Sequence, residues 1–186
     1  KLVYEDKSAP LRNFYAQTTD DERFLVIYGS EGTSGNMVVM KDLTISSGPF
    51  IPVLSDFNND HAVIENSGDR ILMMTNRNAP NQRIVAFTLE QPEEREWKDV
   101  VKENENRIQA ADLLAGKLFV RYLVHAADKI LRYSVDGKKE VEVDLPGIGT
   151  VDFSGNTEDN ECFYSFTSFT VPTTIYHYDA VRNKSK

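Results

Sequence analysis

The chain has 186 residues, is 40% hydrophobic and 27% charged, and carries a net charge of −8, the balance of an ordinary globular domain. An acidic chain without a Lys/Arg stripe has little to displace counterions from phosphates, which argues against a nucleic-acid partner; no apolar run approaches the roughly 18 residues a membrane helix needs. No basic start followed by an apolar stretch marks a secretion leader, and one cysteine, Cys162, allows neither an internal disulfide nor a Cys-based zinc site.

In chain order, short apolar or alternating runs are divided by Gly, Asn, Asp and Pro clusters, the pattern of strands and turns. LVYE (2–5) reads as a lone outer strand. RNFYAQTT (12–19), FLVIYG (24–29), MVVMKDL (37–43) and FIPVL (50–54) follow as one group. HAVIENSG (61–68), RILMMTN (70–76), RIVAFTL (83–89) and WKDVV (97–101) form a second. RIQAADLLA (107–115), KLFVRYL (117–123), KILRYSV (129–135) and KEVEVDL (139–145) form a third. IGTVDFSG (148–155), ECFYSFTSF (161–169) and TIYHYDA (174–180) form a fourth, ahead of a polar tail that reads as frayed.

The second strands of the groups start at 24, 70, 117 and 161, spacings of 46, 47 and 44. Four strands per roughly 40–50 residues is the period of a propeller blade, and a β-sandwich carries no such longer repeat. The expected fold is therefore all-β: a partial β-propeller of about four blades, each of four antiparallel strands, in a single domain over 1–186. The blades fall at about 12–54, 61–101, 107–145 and 148–180. On this phase 2–5 is an outer strand of a preceding or closing blade and the fourth blade has three strands, so the chain reads as part of a larger ring. An open blade face is a liability, so closure or self-association is expected.

Chemistry-bearing motifs are scarce. No Gly-x-Ser-x-Gly turn is present; the nearest string, Gly32-Thr33-Ser34-Gly35, lies between two strands. His61, His125 and His177 are scattered over three blades without metal-ligand spacing, so no metal site and no cofactor is expected. His177, between Tyr176 and Tyr178, reads as packing. Asp56-Phe57-Asn58-Asn59-Asp60 opens like a calcium loop, but His61 stands at the sixth position and Ser67 at the twelfth, so it reads as an Asx-rich turn. Gly29, Gly32 and Gly35 lack the Lys and helix of a phosphate loop, and 90–96 is a charged surface turn.

Particular strings go further. FYSFTSFTVPTTIYHYD (163–179), TNRNAPNQRIVAF (75–87), the Pro92–Trp97–Glu103 stretch, FVRYL and LPGIGTV with FSG (145–155) resemble propeller segments of the prolyl oligopeptidase (prolyl endopeptidase) family of serine peptidases. The similarity runs over nearly the whole chain and is weakest before Arg23.

The resemblance implies a noncatalytic propeller that gates an α/β-hydrolase domain of the same parent chain. It limits entry to proline-containing oligopeptides, which that domain cleaves after proline. It implies no catalytic residue here, since Ser, Asp and His would lie in the hydrolase domain. Thr33 aligns with a position lining a substrate pocket in the family, where Cys is frequent, and Asn13 aligns with another. Arg77 and Asn78 project from a hairpin toward the expected domain interface. The family setting is cytoplasmic, or periplasmic if a leader has been removed. The other reading is a stand-alone propeller scaffold or protein-interaction module, since propellers host many roles.

Overall fold

The computed structural model describes residues 1–159 and 161–186. Among them lie sixteen strands, a single 3-10 turn at Glu94–Glu96 and no α-helix. The first sheet holds β1 (Asn13–Thr18), β2 (Phe24–Ser30), β3 (Met37–Asp42) and β4 (Ile51–Leu54). The second holds β5 (His61–Ser67), β6 (Arg70–Thr75), β7 (Arg83–Phe87) and β8 (Lys98–Val101). The third holds β9 (Arg107–Leu114), β10 (Lys117–Val124), β11 (Ala127–Tyr133) and β12 (Lys139–Glu142). The fourth holds β13 (Thr150–Ser154), β14 (Glu161–Thr167), β15 (Thr174–Asp179) and β16 (Lys184–Ser185). Each sheet is an antiparallel meander in chain order, the propeller-blade arrangement that the repeat predicts.

The sheets stack face to face. One core joins sheets one and two through Val26, Met40, Ile71 and Met73; a second joins two and three through Leu72, Ile84, Leu118 and Val120. A third joins three and four through Phe119, Ile130, Tyr164 and Tyr178. This explains why β6 is an unbroken apolar run. Ile71, Leu72 and Met73 are all fully buried because neighbouring sheets cover both faces of the strand. Each such side chain contributes about 1.5–3 kcal/mol by leaving water. The first strands of adjacent sheets approach each other, β5 with β9 and β9 with β13, so they form the inner side of the arc. The fourth strands are edges. Their pairing is bulged in three sheets, and β4 carries Pro52, which has no N–H to offer a neighbour.

Two features depart from the sequence reading. Residues 2–5 form no strand: Leu2 and Val3 are exposed, while the Tyr4 ring packs edge-on against Phe14 and Phe50 at 5.3 and 5.2 Å. Tyr4 thereby covers the outer face of sheet one, where Ile27, Met37 and Val39 are buried. The fourth sheet is instead completed by the tail. The Asp179 carboxylate accepts the Val181 and Arg182 N–H groups at 3.0 and 2.8 Å, and Asn183 takes a positive φ of 53°. This Asx turn brings Lys184 and Ser185 back beside Asp179 and Tyr178. The sheets are thus four complete meanders, and the phase argument for an unfinished fourth blade does not hold. At the end opposite the β2–β3 turn, Asp20 Oδ2 accepts the Thr157 N–H at 3.2 Å, linking the first and fourth sheets across the arc.

The β10–β11 hairpin turns on His125 and Ala126, with φ of 49° and 63°. That is a type I′ pair, which favours Asn-Gly. His125→Asn with Ala126→Gly is expected to stabilise the protein by about 0.5–1 kcal/mol, read as a raised urea midpoint at constant m-value.

Candidate functional site: the loop-bearing end of the blades

The turns between second and third strands and the links between sheets share one end, and hydrogen bonds tie them into a rim. The Asn36 side chain brackets His61: its Oδ1 accepts the His61 N–H at 2.8 Å and its Nδ2 donates to the His61 carbonyl at 3.0 Å. Asn81 accepts the Ile108 N–H through its backbone carbonyl at 3.0 Å and donates from Nδ2 to the Asn104 carbonyl at 3.0 Å. Asp128 donates its N–H to the Gly149 carbonyl at 3.0 Å and accepts the Val151 N–H at 2.8 Å. In each case an Asn or Asp near the close of one blade's turn pins the entry of the next blade's first strand. These three latches were missed by sequence reasoning. The signal was an Asn or Asp recurring at the blade period, which turn composition alone disguises.

The first turn, 31–36, is held at both ends. Arg12 reaches Glu31 at 2.6 Å and Asp6 at 2.6 Å, and its guanidinium lies 4.9 Å from the Phe57 ring centroid. The Gly35 N–H donates to Asp60 Oδ1 at 2.7 Å. Gly35 has a φ of +75°, and a Cβ there would run into the Phe57 carbonyl oxygen, so only glycine fits this approach. Thr33 is exposed at the tip of this tethered turn. Asn13 opens β1 opposite Ser30, which leads into the same turn, and is also exposed. Structure therefore places both on the first blade at one end.

Arg77 and Asn78 lie at the same end on the second blade, and both face Glu94. Arg77 Nε donates to Glu94 Oε2 at 2.7 Å and Nη1 to Asp56 Oδ2 at 2.8 Å; Asn78 Nδ2 donates to Glu94 Oε1 at 2.8 Å. Arg77 thus joins the link before the blade to the segment before its last strand. The Arg77 hydrogen bond is the main cause holding the Asp56 carboxyl below the usual range. Asp56 anchors a turn here, its carboxylate also accepting the Asn58 N–H at 3.1 Å, in keeping with an Asx turn. Among the described residues no hydrogen bond joins the Asn13–Thr33 pair to the Arg77–Asn78 pair. Because both of its partners are partly exposed, Arg77→Ala is expected to cost only about 1 kcal/mol of stability in a urea titration.

Among the described residues no group of three or more His, Cys, Asp and Glu could hold a metal, and no helix is long and apolar enough to cross a membrane. Cys162 is fully buried between sheets three and four, and burial pushes its thiol up to about 12, so it packs rather than reacts.

Comparison with known proteins places this architecture. The family model described as "Prolyl oligopeptidase, N-terminal beta-propeller domain" matches residues 1–186. A prolyl endopeptidase of Elizabethkingia meningoseptica is 32% identical over all of this chain and 26% of its own length. The dual-function macrocyclase-peptidase of Galerina marginata is 25% identical, over 96% of this chain and 25% of its own. A solved prolyl endopeptidase superposes with a TM-score of 0.91 at 26% identity, over 98% of this chain and 27% of that one. The chain spans about a quarter of the length of the curated relatives it matches. With a family model matching every residue and the same blades in a solved relative, this chain belongs to the prolyl oligopeptidase family, as part of its N-terminal β-propeller domain.

Proposed function

We propose that this chain is the noncatalytic, gating part of a serine peptidase that cleaves short peptides after proline. Its loop-bearing end covers an α/β-hydrolase domain of the same parent protein, and the blades restrict entry to oligopeptides. The observation that carries this reading is the tethered rim, on which the latches, Asn13, Thr33, Arg77 and Asn78 all stand at one end of the blades. A rim fixed by paired hydrogen bonds is a surface that can meet a second domain without paying to order its loops. Thr33 and Asn13 face substrate in this arrangement, and Arg77 and Asn78 stand at the domain boundary.

The test is made on the full-length protein. Cleavage after proline is measured over a series of peptides of increasing length and on a folded protein containing accessible proline. The expected result is rapid turnover of short peptides and a steep fall with length. Turnover that does not depend on size would remove the gating role. Full-length Arg77→Ala with unchanged domain docking and activity would remove its boundary role.

A further inference from the structure

At the seam between the third and fourth blades, on this same end, three large apolar side chains stand in solvent. Phe169 is fully exposed at 110%, Ile148 is 84% exposed and Leu123 is 43% exposed. They come from three segments that the backbone brings together. Leu123 pairs with Asp128 beside the β10–β11 turn, and Asp128 donates to the Gly149 carbonyl, next to Ile148. The β13–β14 ladder ends at Thr150 opposite Thr167, and continuing that register sets Ile148 opposite Phe169. The Phe169 turn is built rather than loose. Ser168 Oγ accepts the Thr170 and Val171 N–H groups at 3.3 and 3.1 Å, and the Ser168 N–H donates to the Val171 carbonyl at 3.0 Å.

We infer that Leu123, Ile148 and Phe169 form an apolar docking point on which the hydrolase domain of the same polypeptide seats. This rests on the reading above that such a domain covers this end. Three observations select that occupant. The patch lies on turns at the sheet ends, not on a sheet face, so another blade stacked on the arc would not cover it. It shares its end with the tethered rim. The matched relatives extend over about four times the length this chain covers, which supplies a partner within one polypeptide. An aromatic anchor on a preformed turn is the kind of group that dominates interface energy, because little conformational freedom remains to be lost.

The experiment uses the full-length protein and thiol labelling. Within this domain Cys162 is buried with its thiol pushed up to about 12 and labels little, and mass spectrometry of the labelled peptides reads each introduced cysteine apart from thiols elsewhere in the full-length protein. Thr170→Cys reports on the patch, and Val181→Cys, 75% exposed at the opposite end, serves as reference. The expected result is labelling of Thr170→Cys at least 10-fold slower than Val181→Cys. Adding Phe169→Ser should raise it to the reference rate, whereas Phe169→Tyr should not. Equal rates at the two cysteines would overturn the proposal. So would protection that vanishes on dilution, which would assign the patch to a second copy, or protection that appears only with added proline peptide. The cleavage assay in the same protein stands apart. Post-proline cleavage with an unprotected patch discards the docking point alone, and no such cleavage discards the functional reading.

Discussion

Arg132→Ala should cost about 3 kcal/mol of stability, through the loss of hydrogen bonds from a charged donor to buried groups and of the packing of its stem. Arg132 projects from β11 with its side chain 10% exposed. Its Nε donates to Glu140 at 3.1 Å, and its Nη1 donates to the Tyr178 hydroxyl at 3.1 Å and to the Ala180 carbonyl at 2.6 Å. One guanidinium thus binds the edge of the third sheet to the last long strand of the fourth. Alanine leaves the Ala180 carbonyl without that donor and opens a void beside Phe119 and Tyr178, which meet edge-on at 5.6 Å. Glu140 keeps Lys117 at 2.6 Å, so its charge is not abandoned. The cost should therefore fall on the seam between blades three and four. Hydrogen exchange checks this: β14 and β15 should open over 100-fold more often, with β2 and β6 little changed. Arg132→Met, which restores the packed stem but not the donors, should recover part of the loss. Uniform loss across all sheets would mean that the four blades open as one unit.

The blades were legible in the sequence because their signal is local and repeated. Met37, Val38, Val39 and Met40, or Ile71, Leu72 and Met73, are apolar runs with no other home than a strand covered on both faces. Turn residues mark where each run ends. The tail was not legible for the converse reason. Lys184 and Ser185 have neither alternation nor bulk, and they pair because the Asp179 carboxylate, earlier in the chain, folds the tail back. LVYE failed in the opposite sense: its apolar residues look like a strand, but Tyr4 uses its ring to cover the face of sheet one rather than its backbone to extend an edge.

At the site, residue types located the loop-bearing end but not its bonding. Arg77 and Asn78 read as groups reaching outward, and in this chain both hold Glu94. Nothing in the local sequence around Arg77 names Asp56 or Glu94 as partners, since these lie one link and one turn away. The same holds for the latches. Asn36 and His61 meet only once two blades are stacked, so their pairing is a property of the fold and not of either segment.

Acidification should produce opposed effects from a buried imidazole and a half-buried carboxyl group. The His61 imidazole is 5% exposed; its Nδ1 shares a hydrogen bond with Thr75 Oγ1 at 2.8 Å, and its Nε2 is buried with no partner among the described residues. Burial, followed by the charge of Arg77, pushes its pKa from 6.5 down to about 4, against the weaker pull of Asp56, Asp60 and Glu94. The unfolded chain therefore binds a proton that the folded one refuses between those values. Stability from this group is complete above 6.5 and is lost as pH falls through 4, by on the order of 3 kcal/mol. Asp112 on β9 behaves in reverse. Burial first, then the charge of Asp152, raises its carboxyl from 3.8 to about 6, with Arg121 opposing. The folded state keeps that proton longer, so its contribution is complete below 3.8 and is lost as pH rises through 6, by on the order of 2–3 kcal/mol. Between pH 4 and 6 the two trends offset, and the urea midpoint of the unaltered protein should change little on their account. Asp112→Asn should raise the midpoint at pH 7 and expose the acid-side fall due to His61. His61→Gln should flatten that fall whatever it does to stability at pH 7. If Asp112→Asn leaves the pH profile unchanged in shape, Asp112 is ionised in the fold at no cost. The seam between blades three and four would then have to admit water beside it, in the region where Arg132 is expected to exclude it.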